Sequence, residues 1–524
     1  MTAGSADARL EVPATRPVRA ARTALVSAGI LGVVADLTLR TAGDGLGWTL
    51  WVVALAGTAL HVGRRRGIPV STEPIAWLAV AVTCAAAFAW RDAEALRLAN
   101  VLGTLVAVSM FGMAASGLPA ASVLVARLRD VVATGIYAAR DVVAGAILLV
   151  ARDVDLPALP AFRGGRSWTA VRALLLTLPV ALVFVVLLSR ADPVFASLFN
   201  LQAIDVERLL EHGVVIGAFA WWSAGWMRGA LLGTSRRPAP PERLPVRLGL
   251  AEVTSLFGAV IALFSVFIAL QLRWLFGGAD VVLATTGLTV AEYARRGFFE
   301  LVGVSTLTLG LMLWLDTVTK RQTGGQQTLF RVLSIGMIVL VGIMLWSAHL
   351  RLTLYEEAYG FTHLRLYPHV FMFWLAALFG FFLLSLFRLR RNIFALGTVI
   401  CVIGYLATLN LINPDYTIMQ QNIARYQQSR SLDIGYLRYV SADAISALLP
   451  FYQQVEDREL RYGLGQWLVG QQQTLDAQRA DAAFLSAHVG RDTAWAMLDA
   501  ARADLPEYDP AYVLPYTYEF EPLR

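Results

Sequence analysis

Charge is what this chain has least of. Asp, Glu, Lys and Arg make up 16% of its 524 residues, against roughly 25% in an average soluble domain. Lysine is almost missing: Lys320 stands alone, and every other basic residue is arginine, a bias we read as the codon usage of a GC-rich bacterial genome. The two cysteines, Cys84 and Cys401, each sit inside an apolar run, which excludes a disulfide framework and a multi-thiolate metal site. There is no Walker or dinucleotide glycine pattern, no nucleophile elbow and no H-E-x-x-H. His349, His363 and His369 lack a cysteine partner and follow no standard ligand spacing. No metal or cofactor is expected, nothing points to nucleic acid, and soluble-enzyme chemistry is unsupported.

What the chain has instead is apolar sequence, 57% of all residues, in runs of about 17 to 24 with almost no charge inside them, the length a helix needs to cross a bilayer. The reading is an all-α polytopic membrane protein of about eleven transmembrane helices, at 23–39, 46–62, 74–90, 98–116, 170–189, 213–232, 249–272, 297–317, 330–350, 366–387 and 392–410. The first run follows Arg9, Arg16, Arg19 and Arg22 and lacks a small-residue cleavage site, so it is read as a retained span.

Loop charge orients the spans. Arg64 to Arg66, Arg236 to Arg247, Lys320 with Arg321, and Arg388 to Arg391 fall in alternate loops together with the arginine-rich N-terminus, and the positive-inside rule places these in the cytoplasm. The division that results is a cytoplasmic tail at 1–22, four spans in 23–116, a cytoplasmic segment at 117–169, a core of about seven spans in 170–410, and a C-terminal region at 411–524. Within the cytoplasmic segment Arg140 and Asp141 interrupt an apolar run that is too short to span, which suggests an amphipathic helix on the membrane surface. The proline-rich loop 233–249 separates two groups of spans. The C-terminal region holds 15 acids against 9 arginines. An odd number of spans puts it outside, as a small helical region whose Pro- and Tyr-rich end lies extended over a surface. The expected location is the bacterial inner membrane, multi-pass, with the N-terminus cytoplasmic.

Ionisable groups in a span are costly, and each is a functional candidate until a simpler role is found. Asp36 with Arg40, and Asp316 with Lys320, sit four residues apart near span ends and are read as local helix pairs. The outer face is different, because unusual polar and aromatic segments gather there from distant loops. Glu292, Arg296 and Glu300 have the spacing of one helical stripe, which serves either as a self-neutralising ladder or as part of an anion site. Arg295 or Arg296 with Arg351 or Arg365 would hold an anionic group in the planar fork of a guanidinium. The candidate ligand-binding set is Asp192, Glu292, Arg295, Arg296, Glu300, Arg351, Arg365, Asn413 and Asp415.

These segments also carry a resemblance. ADPVF at 191–195, QLRWLFGG at 271–278, AEYARRGFFEL at 291–301, LYEEAYGFTHLR at 354–365, NPD at 413–415, Asn422-Ile423-Ala424-Arg425, and Tyr436-Leu437 followed by Ser441-Ala442-Asp443-Ala444 make the chain similar to domain of unknown function family 4173, a family of bacterial inner-membrane proteins. The resemblance covers about half the chain, from near 170 to 445. It implies a multi-span membrane protein and brings no activity, substrate or catalytic residue.

Three functions are consistent with these observations. The first is binding, sensing or translocation of a small or lipidic anionic ligand at the outer rim. The second is an envelope enzyme using a lipid-linked donor, with Asp192, Glu292, Glu300 or Asp415 as base or metal ligand. The third is a membrane scaffold or assembly protein. Beyond the bilayer and that anionic ligand, no partner is indicated.

Overall fold

A computed structural model describes residues 15–40, 45–66, 72–115, 128–154, 206–232, 248–286, 297–387, 393–430, 432–480 and 484–515, with isolated positions between 173 and 188; side chains at 15–17, 128–134, 206–207 and 272–286 are outside the description. The span expected at 170–189, and the residues Asp192, Glu292, Arg295 and Arg296, lie outside the described residues.

Eight of the described helices are long and apolar enough to cross a membrane. The first group of helices is α1 (Thr15–Ala35), α2 (Leu46–Arg66), α3 (Thr72–Phe88), α4 (Glu94–Ala115), α5 (Leu128–Leu148) and α6 (Val206–Met227). They enclose one apolar core that includes Leu31, Trp51, Leu55, Phe111 and Met227. Helices α1 and α6 run antiparallel: a Cβ on Gly32 would lie 2.5 Å from the carbonyl of Ile216, and His212 Nδ1 is 2.6 Å from Asp36 Oδ2. The expected Asp36–Arg40 pair forms at 3.1 Å, so Asp36 is met from two helices. Helix α5 is not among the eight candidate spans. It crosses α6 where Gly145 faces Gly225, a Cβ on the former falling 2.9 Å from the latter's Cα, which is the close approach that small residues permit between membrane helices.

The second group is α7 (Leu250–Thr286), α8 (Phe298–Val318), α9 (Gly324–Tyr359), α10 (His363–Leu386) and α11 (Ile393–Ile412). Phe257, Met312, Phe330, Val341 and Phe382 lie in the core of α7 to α10. Leu248 accepts from Lys320 N–H and donates to the Val318 carbonyl, both at 3.1 Å, stitching the start of α7 to the end of α8. Helix α9 starts on a capping box, in which the Thr323 hydroxyl accepts from Gln326 N–H while the Gln326 side chain accepts from Thr323 N–H. At 36 residues it is about 54 Å long, longer than a bilayer core of about 30 Å.

Helix α11 joins the groups. Asn410 near its end and Asn100 on α4, both buried, exchange two amide hydrogen bonds of 2.9 and 3.0 Å, beside a small core of Cys84, Leu96, Leu406 and Leu409. Both cysteines are buried and pack as small apolar groups.

The last part of the chain contains no candidate span among its described residues. Helices α12 (Pro414–Ser429), α13 (Ile445–Gln454), α14 (Arg458–Ala480) and α15 (Val489–Ala500) pack Leu448, Tyr452, Leu464, Leu468 and Leu498 into their own core. The Tyr-rich tail is extended along α14: Gln466 Nε2 donates to the Glu507 carbonyl (2.9 Å), its Oε1 accepts from Asp509 N–H (2.8 Å), and Tyr452 donates to the Asp504 carbonyl (2.8 Å). This helical unit sits on the helix ends opposite to the arginine-rich loops. Val489 N–H donates to the Ala89 carbonyl, and Leu46 N–H to that of Ala487.

Candidate functional site

The described candidates fall at two places on that end of the bundle. The first is the joint with the C-terminal unit. Gly360 ends α9 at φ +80°, a left-handed conformation that suits glycine, and the chain turns directly into α10. Arg365 closes the turn by donating to the carbonyls of Tyr359 (3.0 Å) and Gly360, with its guanidinium 4.0 Å from the centre of the Tyr355 ring. From α12, Arg425 donates to the carbonyls of Glu357 and Ala358, and Asn422 pairs with both backbone groups of Phe361. Two arginines therefore cap the C-terminal carbonyls of α9, where the helix dipole favours positive charge. Burial lowers the Arg425 pKa, and the Arg365 charge lowers it further.

Asn413 takes φ +50° and caps α12, with Pro414 in the first turn. The cap places Asp415, which is 1% exposed, under α10. One Asp415 oxygen accepts from His363 Nε2. The other accepts from the N–H (2.8 Å) and hydroxyl (2.5 Å) of Ser441. The Tyr436 hydroxyl accepts from His363 N–H at 2.8 Å and lies 2.9 Å from His363 Nδ1, so it donates there and leaves the imidazole proton on Nε2, facing Asp415. His363 and Ser441 thus both bind the carboxylate, and no serine–histidine contact forms of the kind a nucleophilic triad requires. Burial raises the Tyr436 pKa, so the phenol stays neutral.

Beside this relay, Asp92 of the α3–α4 turn and Asp443 interlock. Asp92 N–H donates to Asp443 Oδ2 (2.9 Å), Ala442 N–H donates to Asp92 Oδ2 (3.2 Å), and Arg491 Nε donates to Asp92 Oδ1 (2.7 Å). Burial pushes the Asp443 carboxyl up to about 6, with the Asp92 and Asp415 charges adding to the rise against Arg91 and the Asp92 N–H. The same burial lowers the His488 pKa. Among the described residues no group of three or more His, Cys, Asp or Glu could hold a metal. A cavity of about 20 Å³ opens at the joint, lined by Gly360, Thr362, Asn422, Arg425, Asp433 and Tyr436, with room for about one water.

The second place lies on the span ends themselves. Helix α8 is preceded by Gly297 at φ +85°, an N-cap residue that brings no side-chain cap of its own. Its Phe298 is buried in the same core as Met344, Ala348 and Leu352 of α9. Arg351 is 9% exposed, and its Nη1 lies 3.3 Å from where a Cβ on Gly297 would stand. A guanidinium thus meets a helix N-terminus, two features that each favour an anion. Four residues earlier on α9, Ser347 donates to Gln271 Oε1 at 2.9 Å. The Gln271 Nε2 donor is buried without an acceptor. Glu300, in the first turn of α8, is exposed.

The structure therefore separates the candidates. Arg351 belongs to the α8 terminus, with Glu300 in the same helix's first turn, while Arg365, Asn413 and Asp415 belong to the joint. Sequence reasoning treated Gln271 and the joint residues Asn422, Arg425, Tyr436, Ser441 and Asp443 only as marks of resemblance, and did not single out Asp92, Arg491 or Ser347 as site residues. Their partners are up to 399 positions away, and no local spacing could announce them.

The family described as "Domain of unknown function (DUF4153)" matches residues 78–450. The match extends from α3 to α13, farther toward the N-terminus than the segments that suggested family 4173. No curated protein and no solved structure matches the chain.

Proposed function

We propose, from the premise that the chain belongs to the DUF4153 family and is an integral membrane protein, that it binds a small or lipidic anion at the rim of its spans, to sense it or pass it on. One observation carries this reading: the buried Arg351 guanidinium stands against the N-terminal turn of α8, and both favour an anion. Arginine loops in the cytoplasm would orient this rim, and the C-terminal unit above it, to the outside of a bacterial inner membrane. The set proposed to meet the anion is narrower than the sequence suggested, because Arg365, Asn413 and Asp415 stand at the joint and not at the α8 terminus.

The full chain, purified in a neutral detergent, tests the reading through thermal unfolding with and without inorganic phosphate. Ligand at about 100 times its Kd stabilises by about 2.7 kcal/mol, so the unfolding temperature should rise with phosphate and stay flat in Arg351→Gln. An equal rise in both proteins would remove Arg351 from the site, and no rise in either would exclude phosphate recognition.

A scaffold role is favoured by a different observation, the fastening of the C-terminal unit through Asp415, Asp92 and Asp443. In that reading the joint presents a fixed helical surface to a partner. The enzyme alternative has less support: these carboxylates are close together, but each receives backbone N–H groups, and the adjoining cavity admits about a single water.

A further inference from the structure

We infer that the C-terminal helical unit grips the bilayer itself: the turn between α14 and α15 seats Phe484 and Val489 in the interfacial layer of the lipid, beside the helices to which that turn is tied. This is independent of the anion site. Phe484 is 79% exposed and Val489 55%. Apolar side chains scattered singly over a surface are normal, so it is the position of these two that carries the argument. The backbone between them is fixed to the ends of α2 and α3. The Ala487 carbonyl accepts from Leu46 N–H at 3.0 Å, and Val489 N–H donates to the Ala89 carbonyl at 2.9 Å. Gly45 permits the approach, since a Cβ there would lie 2.6 Å from the Ser486 carbonyl oxygen.

These contacts set the depth of the turn. Leu46 is the first residue of α2, a candidate span of 21 residues and about 32 Å of helix, which matches a hydrocarbon core of about 30 Å. With Arg64, Arg65 and Arg66 at its other end, α2 places Leu46 at the boundary between acyl chains and headgroups. Aromatic side chains already mark that level. The Trp48 and Phe88 rings are 6.4 Å apart between α2 and α3. Trp90, whose carbonyl would lie 3.1 Å from a Cβ on Gly490, is 37% exposed, and the Arg91 guanidinium is 4.0 Å from the centre of its ring. Indole rings with a cation beside them are the composition of a membrane–water interface. Phe484 and Val489 continue this belt from a part of the chain that has no candidate span among its described residues. The occupant at that depth is lipid, which any partner protein would have to displace.

Electron paramagnetic resonance of the full chain in phosphatidylcholine nanodiscs, spin-labelled at Phe484→Cys, tests the inference. Cys84 and Cys401 are buried, so the wild-type protein supplies the labelling background. The measured quantity is the ratio of the label's collisions with oxygen, which concentrates in lipid, to those with a nickel chelate, which stays in water. At 484 this ratio should exceed that of the free label in buffer several-fold and approach that of Val53→Cys, an exposed position in the body of α2 (45%). Val489→Cys should behave in the same way, and it serves if Phe484→Cys fails to fold or to take the label. A ratio equal to that of the free label would place the turn in water. A label shielded from both collision partners would show that a second copy or another protein covers it. Either result would overturn the inference.

Discussion

Asp92 and Asp443 each accept a hydrogen bond from the backbone of the other's segment: Asp92 N–H donates to Asp443, and Ala442 N–H, beside Asp443, donates to Asp92. The two carboxylates are thereby locked face to face across the joint between the span ends and the C-terminal helices. Arg491 from α15 neutralises one of them. The other is buried among Asp92, Asp415 and Arg91.

The joint should respond to pH. The Asp443 carboxyl is raised from 3.8 to about 6 in the folded protein, so the folded state binds its proton more tightly than the unfolded chain does. Its contribution to stability is fully present below pH about 4 and is lost as the pH rises through about 6, about 3 kcal/mol in all. Asp443→Asn keeps an acceptor for Asp92 N–H and cannot ionise. Thermal unfolding between pH 4 and 8 should show a smaller fall for this variant, and greater stability than wild type at pH 8. An identical slope in the two proteins would assign the pH response to other groups.

The Asn100–Asn410 pair should be worth more as a pair than either amide alone. Asn100→Leu leaves a buried amide on α11 short of partners and should cost about 1–2 kcal/mol. Changing both residues to Leu should recover at least half of that loss, because no polar group is then left unsatisfied. A double-mutant cycle on thermal stability in detergent measures the coupling, and simple additivity would show that the amides do not interact.

Gly360 should resist substitution where another helix glycine does not. A Cβ at φ +80° is strained and would lie 2.8 Å from Asn422 Oδ1, so Gly360→Ala should destabilise by about 1–3 kcal/mol. Gly380, inside α10 with nothing within 4 Å of its Cβ position, should tolerate alanine or gain from it. Limited proteolysis should cut near residue 360 in the first variant and not in the second; equal resistance would mean that the turn does not depend on glycine.

Much of the architecture could be read in advance, because a span declares itself by length and composition. Runs expected at 297–317 and 392–410 correspond to helices at Phe298–Val318 and Ile393–Ile412. Boundaries followed less well where amphipathic helix continues past the bilayer, as in α9, which begins six residues before its expected span and ends nine after it. The candidate site was legible only in part. Arg351 and Asp415 stood out as charges near span ends, but sequence could not say that one faces a helix N-terminus and the other a histidine and a serine. Arg365 looked like a ligand fork because capping a helix C-terminus and binding an anion use the same guanidinium. Gln271 stood out only as the first residue of a segment of resemblance, since a neutral amide inside an apolar run costs little in composition and its partner Ser347 lies on another helix.

Orientation has its own test. Reporters active only in the periplasm or only in the cytoplasm, fused after Arg524 and after Gly324, should report the terminus outside and Gly324 inside. A Gly324 fusion active in the periplasm would turn the anion site toward the cytosol.

The most direct measurement is a cryo-EM map of the full chain in nanodiscs containing phosphatidic acid. The account predicts phosphate density between the first turn of α8 and Arg351, and loss of that density in Arg351→Gln. A map in which protein side chains fill this space, with no ligand density beside Arg351, would contradict it.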